Sequence, residues 1–178
     1  MLHDVLDTIG KNTSINSKIL FQFYKLLQSN KFTRETNPYR HFGSFFIPIN
    51  KVSKSIFLVN HRKAKCWIPP GGHLDDLEMP LDTLRREFSE ELTYELANES
   101  IEFYDISISD ISNKGNLCSK HYDFWYLVNF DDLINFEYDK REFIEASWFS
   151  GLKALEKIKT NYKHPEQNVI IKRLIQSF

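Results

Sequence analysis

Apolar positions along the chain fall into two patterns. Short runs that are apolar and rich in β-branched or aromatic residues read as strands. They are His41–Asn50 (HFGSFFIPIN), Ser55–Arg62 (SIFLVNHR), Ser100–Ser109, Lys120–Phe130 and Glu145–Ser150. The polar stretch NKVSK joins the first two, and NKGN predicts a turn between the third and fourth. Elsewhere apolar residues recur at helical spacing. Asn16–Asn30 predicts a helix capped by Asn16 or Ser17, and Pro80 to about Leu96 a second, with proline in its favoured first turn. GLKALEKIK and Pro165–Phe178 predict closing helices. CWIPPGG, with two prolines and two glycines, predicts a break in regular structure. The order helix, strands, helix, strands, helices predicts an α+β fold, a mixed sheet between helices. Residues 1–40 form a helical extension, and residues 41–178 the main domain.

The 178-residue length fits one domain, and 15 Phe allow a sizeable core. With 23 Lys plus Arg against 24 Asp plus Glu, the charge balance gives no hint of a nucleic-acid or acidic-membrane partner. Cys66 and Cys118 make neither a disulfide framework nor a zinc spacing, and packing in a reducing compartment is their expected role. The N-terminus lacks a signal-peptide pattern and no apolar run is long enough to span a bilayer, so a cytoplasmic protein is expected. The wide apolar face of Asn16–Ser29 must be covered, by the domain or by a second subunit, and a homodimer is one way to do it.

The helix from Pro80 carries the chemistry. Leu81, Leu84, Phe88, Leu92 and Glu95 fall on one side, four of them apolar, and that side faces the core. Glu87, Glu90 and Glu91 crowd together on the adjoining side, where like charges repel. A Glu-Glu pair on an amphipathic helix is commonly no more than a solvated face. Three such carboxylates behind a flexible Gly71-Gly72 loop also suit Mg²⁺, which binds through a few carboxylates, waters and substrate phosphates. Glu78 is placed to pair with Arg86 and hold loop against helix.

The joint spacing decides between these readings. Gly72, five residues, Glu78, seven residues, then REFSEELTY resembles the Nudix box, G-x5-E-x7-R-E-U-x-E-E-x-G-U, with U apolar. Glu78, Arg86, Glu87, Glu90 and Glu91 match every charged position, and Phe88 and Tyr94 fill the apolar ones. Thr93 stands where the box has glycine, so the helix exit should differ from the family's.

The resemblance implies a Nudix fold and hydrolysis of a nucleoside diphosphate linked to another group, with Mg²⁺ or Mn²⁺. It implies Glu87, Glu90, Glu91 and the Gly71 carbonyl as metal ligands, and Glu78 and Arg86 as the supporting pair. For the general base, Glu87 is the candidate within the box, and Glu142 and Glu145 are candidates on a later loop. His121, Asp123 and Trp125 share one strand face and could line the cleft, with a base stacked on Trp125 and His121 on phosphate. His73, inside the box loop, is expected to be exposed and not to serve as a ligand. The partner is a small nucleotide or diphosphate substrate, with no membrane. About sixteen residues past Tyr94 the chain reads SDISN, without the proline or tyrosine that marks some subfamilies, and the long motif of NADH pyrophosphatases is absent. Two rivals stand beside hydrolysis. One is a nucleotide-sensing Nudix module, which commonly loses box glutamates kept here. The other is isopentenyl diphosphate isomerase, which needs a catalytic cysteine and a histidine-rich metal site.

Overall fold

The structure, a computed structural model, describes residues 2–11, 15–111, 117–159 and 165–178. The NKGN turn lies outside them. The helices are α1 (Leu2–Gly10), α2 (Ser17–Gln28), α3 (Pro80–Leu92), α4 (Gly151–Ile158) and α5 (Pro165–Gln176). The strands are β1 (Arg40–Asn50), β2 (Ser55–His61), β3 (Cys66–Ile68), β4 (Gly71–His73), β5 (Ser100–Asp110), β6 (Lys120–Asn129) and β7 (Phe143–Ser150). The sheet runs β3-β2-β1-β6-β5, with β4 paired to β1 and β7 to β2. β1 and β6 are parallel and the other pairs antiparallel, so the sheet is mixed.

Alternation along β1 divides the core. Phe42 and Phe46 face α1, α2 and α3, whereas Phe45, Ile47 and Ile49 face α4 and α5. On the first face Phe23 of α2 is fully buried against Phe42 and Phe124, with ring centroids 5.4 and 5.2 Å away, and Leu27 is buried beside it. α2 therefore packs on its own sheet. Asn16 caps it, its side-chain oxygen accepting from the N–H groups of Lys18 and Ile19. α1 was not anticipated; Leu2, Leu6 and Ile9 join the same core, and Tyr24 donates to Asp7 across the helix pair at 2.6 Å.

The CWIPPGG stretch departs from expectation. Instead of breaking structure, it supplies β3 and β4, with a kink at Pro69-Pro70 between them. The Phe46 N–H donates to the Pro70 carbonyl at 3.1 Å, and Gly71 and Gly72 pair with Phe45 and Ser44. The loop's last residues thus become a sheet edge, which holds them in place beneath α3.

Candidate active site

α3 starts at Pro80 as expected, but ends at Leu92 rather than near Leu96. Thr93 terminates it in the left-handed conformation, φ 49° and ψ 41°, the geometry a glycine adopts most readily. The reversal turns Tyr94 inward against Phe88, Phe130 and Phe136. Leu84, Phe88 and Leu92 are fully buried, with Phe88 stacked on Phe46 at 4.7 Å. Leu81, expected on the buried side, is exposed at the first turn. The Ser44 hydroxyl donates to the Pro80 carbonyl at 2.7 Å, fixing the start of α3 to β1.

Glu78 and Arg86 meet as a two-pronged ion pair, Nε to Oε1 at 2.7 Å and Nη2 to Oε2 at 3.0 Å. Thr83 also donates to Glu78 at 2.7 Å. The guanidinium beside it holds the Glu78 carboxyl down at about 2. Arg86 donates further to the His73 carbonyl at 3.0 Å and to Glu87 at 2.8 Å. One cation therefore ties β4, the loop and α3 together.

Glu91 is buried at the helix end, and its Oε2 accepts from the Gly71 N–H at 2.9 Å. Burial, then the neighbouring Glu87 charge, pushes its carboxyl well above the usual range. Burial raises Glu87 as well, opposed by Arg86. Glu90 stays exposed, 3.4 Å from Arg86. A side chain at Gly72 would collide with the Glu87 carboxylate. Glu91 and Glu87 thus meet the Gly71–Gly72 backbone, and Arg86 holds the exposed Glu90 beside Glu87, a set of hard oxygen donors fit for a divalent ion.

Of the later-loop carboxylates, Glu142 lies close enough for its charge to raise Glu87 and Glu91. Its turn is stapled to α3, since the Asp139 N–H donates to the Glu91 carbonyl at 2.9 Å. Glu145 is exposed on β7 opposite Asn60.

A cleft of about 180 Å³ opens beside Gly71 and Gly72, lined also by Lys63, His121, Asp123 and Gln167. His121 and Asp123 belong to it. Trp125 does not: it is fully buried, stacked on Phe45 at 5.1 Å, with its indole N–H donating to Ser107 at 2.9 Å. The strand face that looked uniformly polar is core at Trp125, because α4 and α5 cover that end of the sheet. Asp123 is buried, and burial raises its carboxyl to about 7 despite hydroxyls from Ser109 and Ser107. Its Oδ1, like the Oε1 of Gln167, has no hydrogen-bond partner among the described residues. Gln167 and Lys63 escaped the sequence reading, as neither stands in a motif. A larger cleft, about 680 Å³, lies between α1 and the start of α3; none of Glu78, Glu87, Glu90 and Glu91 lines either cleft, and only the smaller one reaches Gly71 and Gly72.

His73, expected to be exposed, is partly buried, and desolvation drives its imidazole down to about 3. It meets His121, Nε2 to Nε2, at 3.1 Å, and His41 packs against both rings. This trio was not visible in the sequence, since it depends on which strands pair. Cys66 is not with it. That cysteine is buried in the core on the α3 side.

The comparisons agree with this geometry. The NUDIX domain family model matches residues 40–172. The chain belongs to the Nudix family. A curated relative, the probable DHNTP pyrophosphohydrolase of Lactococcus lactis subsp. cremoris (strain MG1363), is 27% identical over 125 residues, 67% of this chain and 74% of that protein. Among solved structures, the E. coli dihydroneopterin triphosphate pyrophosphohydrolase aligns with a TM-score of 0.66 at 12% identity, covering 79% of this chain and 99% of that one. A C. elegans Ap4A hydrolase aligns with a TM-score of 0.62 at 16% identity, covering 77% and 96%. At such identities the structures speak for the Nudix fold. With the family match and a full set of box charges, the chain is a Nudix pyrophosphohydrolase.

Proposed function

We propose that this Nudix hydrolase cleaves a diphosphate bond in a triphosphate that carries a nucleobase-like or pterin-like ring, and that it needs Mg²⁺ or Mn²⁺. The observation that carries the reading is the placing of Glu91 and Glu87 against the Gly71–Gly72 backbone, with Glu90 held beside Glu87 by Arg86. Those carboxylates, with the Gly71 carbonyl, would hold the ion. When bound, the ion neutralises the diphosphate and acidifies water beside it.

The chain's own groups do the rest. The Arg86–Glu78 pair keeps β4 at a set distance from α3, so the donors are arranged before substrate arrives. Glu87 takes the proton from the attacking water; its buried carboxyl is a stronger base than an exposed glutamate, and Glu142 adds negative charge nearby. Lys63 on the cleft wall is placed for a substrate phosphate. Asp123 Oδ1 and Gln167 Oε1, buried acceptors without partners among the described residues, are suited to ring N–H and amino groups. His121 completes that wall. The name of the Lactococcus lactis relative supports the pterin triphosphate as the first compound to assay.

The test is release of phosphate or pyrophosphate from dihydroneopterin triphosphate, Ap4A and the nucleoside triphosphates, with and without Mg²⁺. Mg²⁺-dependent cleavage of a ring-bearing triphosphate supports the reading. Cleavage restricted to dinucleoside polyphosphates would replace the substrate, and no cleavage of any compound would overturn it.

A further inference from the structure

Period-two alternation places a second group of potential ligands on the opposite side of the sheet from α3. In the parallel ladder His41 of β1 lies beside His121 of β6. Two residues along β1, Gly43 pairs with His73 of β4. Positions 41, 43, 73 and 121 therefore share the face that carries Phe45 and Trp125. α3 packs on the other face, through Phe46 and Phe88.

Their nitrogens are arranged as ligands rather than as scattered cleft residues. One ligand atom from each of His41, His73 and His121 lies within 4.8 Å of the other two. The His73 and His121 Nε2 atoms are 3.1 Å apart. Two nitrogens bound to one tetrahedral zinc ion, each at about 2.05 Å, stand about 3.3 Å apart. His41 Nδ1 lies 3.0 Å from the Asn37 carbonyl. A carbonyl only accepts, so Nδ1 carries the proton, and Nε2 of the neutral ring keeps its lone pair. A backbone carbonyl behind the far nitrogen is the usual way a ligating histidine is oriented. Cys118 Sγ sits 3.7 Å from His41 Nε2 but is not one of the three mutually close ligands. A cavity of about 310 Å³ opens onto the group, lined by all three histidines, Cys118 and Arg34. The Arg34 charge works against a cation there, and an anionic fourth donor would offset it.

We propose that His41, His73 and His121 form a binding site for one transition-metal ion of the zinc class, separate from the box carboxylates. Three neutral imidazoles suit Zn²⁺, Co²⁺ or Ni²⁺ and suit Mg²⁺ poorly. An ion there ties β1, β4 and β6 together at the mouth of the cleft that His73 and His121 also line.

The experiment uses the full chain stripped with a chelator, then titrated with Co²⁺ in excess Mg²⁺, followed by zinc competition against a chromophoric chelator. The expected result is one equivalent of Co²⁺ with the intense visible absorption of a tetrahedral site. It should persist in the Glu90→Gln/Glu91→Gln double variant. His121→Asn and His73→Asn should each weaken zinc binding by on the order of 100-fold or more, with circular dichroism confirming the fold. If those variants do not fold, the wild-type spectrum decides. Weak octahedral absorption alone, no binding, or binding lost with the glutamates and kept without the histidines would overturn the site.

Discussion

Glu78 and Glu91 flank the same loop-helix junction yet respond to pH with opposite sign. Arg86 depresses Glu78 to about 2, so its ion pair contributes stability that is full above the ordinary glutamate value of about 4.3 and is lost as pH falls toward 2. Glu78→Gln should lower the melting temperature at pH 7, with the difference narrowing below about pH 4; an unchanged melting temperature at pH 7 would contradict this. Glu91 is raised by burial and by Glu87, so its charge opposes folding once pH passes about 4.3. Glu91→Gln should therefore raise the melting temperature of metal-free protein at neutral pH and change little at pH 4. Thermal unfolding in a chelator reads both effects, and a destabilised Glu91→Gln protein would count against the charge argument. The Glu78–Arg86 pair was legible from spacing, and so was the crowding of like charges on α3 that only an ion or solvent tolerates. Trp125 was misread for a physical reason: alternation says which side of a strand a residue takes, not whether a helix covers it.

Among the elements, α3 shows what Thr93 does in place of glycine. The chain leaves the helix in the left-handed turn all the same, and a β-branched residue at φ 49° is strained there. Thr93 is exposed. Thr93→Gly should stabilise the protein by roughly 0.5–1 kcal/mol in urea unfolding, the relief of strain exceeding glycine's entropy cost. A loss of stability would show that threonine is favoured at that exit. α2 is the other informative element. Its apolar face predicted that something must cover it, and the covering surface is Phe42, Tyr122 and Phe124 of the chain's own sheet. Phe23→Ala should cost about 3–5 kcal/mol, whereas Leu20→Ala, at a partly buried position, should cost less. A change under about 1 kcal/mol at Phe23 would mean that α2 detaches readily. α1, by contrast, is short and lies next to a start that was read for targeting signals only, and its Leu2, Leu6 and Ile9 stripe went unnoticed.

For the molecule as a whole, strand existence was readable and strand pairing was not. The long apolar runs became β1, β2, β5, β6 and β7, while β3 and β4 hid among prolines and glycines because a three-residue strand has no periodicity to show. The parallel β1–β6 pairing brings His41 to His121 and Gly43 to Asp123. That register follows from the packing of the whole sheet, so no local pattern reports it. The consequence is a division of labour across one sheet: carboxylates of α3 on one side, and histidines with buried acceptors on the other, joined at Gly71–Gly72. The central claim is that the carboxylate side performs metal-dependent hydrolysis. The most direct measurement compares Mg²⁺ affinity and Mg²⁺-dependent hydrolysis of the preferred triphosphate in the wild type, Glu91→Gln and Glu87→Gln. Glu91→Gln is expected to lose both, and Glu87→Gln to lose about 10²–10⁴ in rate while keeping Mg²⁺ if it is chiefly the base. Full Mg²⁺-dependent hydrolysis by Glu91→Gln would contradict the claim.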